Sequence, residues 1–178
     1  NVKAFQKKIV MSSTYRQSSV VNDQKLALDL DNSLYSRGPN YRMSAEQVRD
    51  NALASSGALH RQIGGQSVYP YQPSGLWEAL ATRNEVSYRQ NHGDSLYRRS
   101  MYTIWKRSAP PPMMLNFDAA ERHFCVVSRQ KTSTPLQALV VMNDPQFVEA
   151  SRVLATKVIL KGKALDEQST YGFKALTG

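Results

Sequence analysis

Apolar residues recur at helical spacing in the first dozen positions. Val2, Phe5, Ile9 and Val10 predict an amphipathic helix there. Residues 14–40 are polar, with Asp31-Asn32-Ser33 and Gly38-Pro39 as turn signals and Leu26, Leu28, Leu30 and Leu34 as the expected anchors. Ser44 then opens a helix. Gln47 lies three residues on, the spacing at which each side chain satisfies the other's free backbone donor. Val48, Ala52, Ser55, Leu59 and Ile63 follow at steps of three and four, and Gly64-Gly65 is the expected stop. A tyrosine- and proline-rich loop covers 64–75, and Leu76–Leu80 reads as a short helical turn. The rings of Tyr69, Tyr71 and Trp77 could stack on a sugar or close over the core.

Residues 96–107 favour a strand toward their end, where Tyr102, Thr103, Ile104 and Trp105 are aromatic or β-branched. Phe124-Cys125-Val126-Val127 is its natural antiparallel partner. Between them, Pro110-Pro111-Pro112 predicts extended polyproline II, and Asp118–Arg122 a short helix capped by Asp118. Thr134-Pro135-Leu136-Gln137 combines a cap, a proline at the first helical position and a second capping box. The helix it opens is almost wholly apolar, so Leu139 is expected at the centre of the core. Asn143-Asp144-Pro145 stops that helix and starts another, which buries Phe147, Ser151, Leu154, Ala155, Val158 and Ile159 and ends at Gly162; a new helix follows near the C-terminus. The expected architecture is mainly α, a helical domain with a small two-stranded antiparallel β element. It is read as a single domain over 1–178, cut at both ends from a larger multidomain protein.

Composition narrows this picture. The chain has 178 residues, 41% hydrophobic and 21% charged, which is globular rather than disordered or fibrous. No apolar run approaches the roughly 18 residues of a membrane span. The net charge of +9 favours an anionic partner. Its densest basic group is Arg98, Arg99, Lys106 and Arg107, at the two ends of the proposed strand. Alternation along a strand would place Arg98 with Lys106 on one face and Arg99 with Arg107 on the other. One pair, helped by Arg129, is the candidate anion or glycan site; the alternative is a solvated surface.

The one cysteine, Cys125, rules out an internal disulfide and a c-type haem attached here, and its apolar setting predicts a buried, inert thiol. Glu46 and Asp50 share a helix face and could act as a carboxylate pair or belong to an ion network. His92-Gly93-Asp94 and Asp118-x-x-Glu121-x-His123 are the other acid/base candidates. Neither matches a metal motif, and no metal site is expected. Nucleophile-elbow, phosphate-loop and dinucleotide signatures are absent from the sequence.

An ordered series of motifs carries a family resemblance. It runs through Thr14-Tyr15-Arg16-Gln17-Ser18-Ser19, Ser36-Arg37-Gly38-Pro39, Tyr41–Glu46, Arg49-Asp50, Ile63-Gly64-Gly65, Pro70–Pro73 and Gly75-Leu76-Trp77-Glu78. It continues with Tyr97–Tyr102, Trp105-Lys106-Arg107, Phe117-Asp118, Thr132–Leu139 and Asn143–Val148. Together these resemble the C-terminal domain of unknown function in the planctomycete cytochrome-C-domain proteins, the PSD-type family of Planctomycetes and Verrucomicrobia. The resemblance implies a large periplasmic, cell-surface or secreted parent protein, with a haem module and a companion domain outside this chain, and a role in polysaccharide utilisation. No cofactor is expected in the chain itself. The leading expectation is an accessory helical domain engaging anionic polysaccharide, with companion domains of the parent protein as partners. The alternatives are part of a polysaccharide-acting or redox enzyme completed by missing domains, and then a nucleic-acid-binding module, for which only the charge speaks.

Overall fold

The computed structural model describes residues 1–80, 87–161 and 164–177. The chain forms two compact units, 1–42 and 43–178. The first holds α1 (Val2–Val10) and α2 (Asp23–Leu28). Asn1 caps α1, its side chain accepting from the amides of Lys3 and Ala4. The unit is organised by polar contacts. The buried Asp29 carboxylate accepts from the amides of Leu34 and Ser36. Burial pushes the Asp29 pKa up, but these donors outweigh it and hold the group below its ordinary value. Arg37 donates to the carbonyls of Asp29 and Leu30 at 2.6 and 2.7 Å. Gly38 passes so close to residue 17 that a Cβ there would lie 2.5 Å from the Gln17 carbonyl oxygen. The expected leucine anchors do not form a core: Leu26, Leu28, Leu30 and Leu34 are all exposed.

The second unit contains α3 (Ala45–Ser56), α4 (Leu76–Ala79), α5 (Pro112–Asn116), α6 (Pro135–Asn143), α7 (Pro145–Lys161) and α8 (Leu165–Thr177). Helix α3 begins with the expected reciprocal Ser44/Gln47 capping box, a device worth about 1 kcal/mol. It stops at Ser56, about two turns before Gly64. Gly57 takes φ +76° there, and a Cβ on it would meet Lys157 Nζ. Ala45, Arg49, Leu53 and Ser56 form the buried face of α3. That face packs on α7, α5 and α8, and α7 also carries α6 and α8. Ala45, Met114 and Ala119 make the hydrophobic centre, flanked by Trp105, Met113 and Phe117.

The described residues are mainly helical, but the two-stranded antiparallel element does not form. Gly93–Tyr97 and Ser100–Tyr102 are 3₁₀ turns instead. The strand-favouring stretch pairs with the tyrosine loop through isolated bridges, with Val68 N donating to Tyr102 O and Ile104 N to Val68 O, both at 2.8 Å. Phe124–Val127 is left exposed, and Cys125 with it, so the thiol is not buried. β-Propensity reports suitability for a half-buried pleated surface, and tertiary packing supplied none here. Pro112 starts α5 rather than extending a polyproline run, and Asp118 sits at φ +59° after that helix rather than capping a new one.

Helix α6 forms where expected but is not central. Leu136 and Leu139 are 52% and 53% exposed, and Gln137 is its one buried residue. Thr134 precedes it without capping by its side chain; Gln137 donates to Thr132 Oγ1 instead of closing a box. In α7, Gln146, Phe147 and Ala150 are buried, Leu154 and Val158 are half-buried, and Ser151, Ala155 and Ile159, expected inside, are exposed. Gly162, the expected stop, lies outside the described residues.

Candidate functional site

A buried arginine sets the geometry of the second unit. Arg49, 1% exposed, projects from α3 into the junction of α7 and the 3₁₀ segment. Its Nε donates to Gln146 Oε1 at 2.6 Å and its Nη1 to the Arg98 carbonyl at 2.7 Å; Ser100 Oγ and the Leu96 carbonyl each accept at 3.1 Å. Asp50 lies 3.8 Å from Arg49 Nη1 and accepts from the Ser100 amide at 2.7 Å. Burial drives the Arg49 pKa down to about 10, partly offset by Asp50 and Asp144. Gln146 Nε2 in this junction is buried without a partner among the described residues.

The same junction orients Glu149 on α7. Its two carboxylate oxygens accept from the hydroxyls of Tyr71 and Tyr97, each at 2.9 Å. Burial first, then the hydrogen bond to Glu149 and its charge, pushes the Tyr71 pKa up to about 12 and raises that of Tyr97. Tyr69, Trp77 and Tyr88 form an edge-to-face aromatic triad with centroids 5.1–6.0 Å apart. Tyr88 donates its hydroxyl to the Pro70 carbonyl. In this triad Trp77 is buried and Tyr69 half-buried, while Tyr71 lines a groove.

That groove, about 720 Å³, lies between residues 71–74, Gln90, the 111–113 prolines with Met113, Asn116, α6 and the α6–α7 corner. Leu136, Leu139, Val140 and the prolines supply its apolar surface. Gln72, Gln90, Asn116 and Asn143 supply side-chain amides, Tyr71 and Ser74 hydroxyls, and Asp144 a carboxyl. Gln72 Nε2 is buried with no partner among the described residues. Asp144 precedes α7 and accepts from the Gln146 amide at 2.9 Å; burial raises its pKa against that bond. Among the described residues no lysine or arginine lines the groove.

The residues singled out from sequence lie elsewhere. Arg98 is 4% exposed, because its guanidinium is built into the fold: it donates to the carbonyls of Gln62, Gly64 and Gln66 and stacks 3.9 Å over Tyr102. Arg99 lies 3.6 Å from Asp50, Lys106 stacks over Trp77, and Arg107 is exposed. Arg129 donates to Glu46 at 2.7 Å, which together with other hydrogen bonds outweighs burial and lowers the Glu46 pKa. Residues 96–107 form 3₁₀ turns and isolated bridges rather than a strand, so the alternating pairs of basic residues do not exist as such. Glu46 and Asp50 belong to separate ion pairs rather than a shared carboxylate site. Asp94 lies 3.8 Å from His60 rather than beside His92, which is exposed, as is His123. Asp118 accepts from the amide and hydroxyl of Thr132 at 2.7 and 2.9 Å. Among the described residues no group of three or more His, Cys, Asp or Glu could hold a metal.

Sequence reasoning missed Arg49, Glu149 and the groove amides. Arg49-Asp50 and Asn143-Asp144-Pro145 were visible as motifs, but amides spread over residues 72–143 carry no spacing signal. A family model described as PSD1: Protein of unknown function (DUF1553) matches residues 1–178. No curated protein and no solved structure matches the chain.

Proposed function

The chain belongs to the PSD1 family of proteins of unknown function, and from that premise we propose that it is an accessory binding domain whose groove takes a neutral sugar of a polysaccharide. The observation that carries this reading is the groove lining, amides and hydroxyls around apolar side chains with no cation among the described residues. Sugars present a ring of hydroxyls over flat apolar faces, so amides that both donate and accept suit them. Glu149 holds the Tyr71 hydroxyl and so fixes one wall. The basic residues support this choice by default: Arg98 is spent on backbone carbonyls, and Arg99 and Arg129 on Asp50 and Glu46. The setting we infer is a periplasmic, cell-surface or secreted parent protein whose further domains supply any catalysis or haem.

The test is calorimetric titration of the 178-residue protein with neutral and sulfated oligosaccharides, beside Gln72→Ala and Asn143→Ala. Binding of a neutral sugar that is insensitive to salt and weakened about tenfold by either substitution is expected. Binding confined to sulfated glycans and lost in salt would return the site to the basic residues. Hydrolysis of any glycan by this chain would replace the accessory role with an enzymatic one.

A further inference from the structure

Helix α1 presents a partly exposed apolar stripe. Val2, Phe5 and Ile9 share one face at steps of three and four, and they are 72%, 66% and 45% exposed. Lys3 and Lys8 flank this face and Lys7 lies opposite it. Residues 1–22 contain four cations, Lys3, Lys7, Lys8 and Arg16, and no carboxylate; the first acid is Asp23. None of the four has an ion-pair partner among the described residues. Tyr15, 61% exposed, follows the helix by just over one turn.

From these features we propose that α1 lies on an anionic lipid surface. An exposed apolar stripe flanked by lysines is the pattern by which a helix settles into the boundary between headgroups and acyl chains. The apolar side chains enter that boundary, the lysines meet lipid phosphates, and a tyrosine sits at headgroup depth. Charge complementarity selects the occupant: a segment with four cations and no acid is repelled by basic surfaces and drawn to a negatively charged leaflet. The helix spans roughly 14 Å, so it rests on the surface and does not cross it. The contact is reversible, and it adds a place of residence to the binding role proposed for the groove.

Cosedimentation of the 178-residue protein with vesicles provides the test. Vesicles of phosphatidylglycerol with phosphatidylcholine should bind it, and vesicles of phosphatidylcholine alone should not. Binding should fall as salt rises. Lys3→Glu/Lys7→Glu/Lys8→Glu should weaken it at least about tenfold, since each cation near the surface contributes separately. Phe5→Ser, which leaves the charge intact, should weaken it as well. All substituted side chains are exposed, so helicity by circular dichroism should stay at the wild-type level. Absence of binding to anionic vesicles overturns the proposal and gives the stripe to a protein partner. Equal binding to neutral vesicles, or a triple variant that binds as wild type does, overturns it too.

Discussion

Arg49 Nε meets Gln146 Oε1 at 2.6 Å across 97 positions of sequence, and this one bond joins α3 to α7 in the buried interior. The guanidinium also gathers the Arg98 and Leu96 carbonyls, so one side chain fixes three chain segments. Arg49→Ala would leave those acceptors dry and unpaired. It should cost about 3–5 kcal/mol in urea denaturation. Arg49→Lys should recover little of that loss, because an ammonium cannot reproduce the planar fork.

Leu53 and Leu139 should behave oppositely to what their neighbourhoods in sequence suggest. Leu53 is 1% exposed, and Leu53→Ala should destabilise by about 2–5 kcal/mol. Leu139 lines the open groove at 53% exposure, and Leu139→Asp should cost less than about 1 kcal/mol while weakening sugar binding. Thermal denaturation beside calorimetric titration separates the two effects.

Alkaline pH should expose the tyrosines. Tyr71, Tyr88 and Tyr97 all have folded pKa values above the ordinary 10.0, burial being the first cause in each. Folded chains therefore hold these protons more tightly than unfolded ones. The stabilisation is complete below pH 10 and is lost as pH rises toward about 12, the value for Tyr71. Arg49, depressed to about 10, acts in the opposite direction over that window, one group against three. Ultraviolet absorbance should show delayed phenolate formation in native protein, and Tyr71→Phe should remove part of the delay.

Cys125 should label rapidly with a thiol reagent in the native state, at a rate close to that in denaturant, because the residue is exposed. Slow native labelling would mean that Phe124–Val127 is covered in solution.

Local signals were legible where their partners are also local. The Ser44/Gln47 box satisfies backbone donors within one turn, and Pro135 and Pro145 at the starts of α6 and α7 remove a donor that would lack a partner, so sequence suffices. Strand preference at Tyr102–Trp105 and burial of Leu139 or Cys125 depend on what the fold brings opposite, and no spacing encodes that. Arg98 illustrates the same limit. Its charge was legible, but the three carbonyls that capture it lie more than thirty positions upstream. The groove assembles amides from four separate segments, each unremarkable in its own context.

The exposed stretch 121–131 lies between the segments that Arg49 and Gln146 tie together. It contains Arg122, Arg129 and Lys131, on the surface where trypsin has access. A single nick there severs the backbone but leaves the α3–α7 interface intact, since no residue of that interface lies in the stretch. The protein is in this sense already divisible: two pieces, split after Arg122, Arg129 or Lys131, carry complementary halves of one interior and should reassemble when mixed.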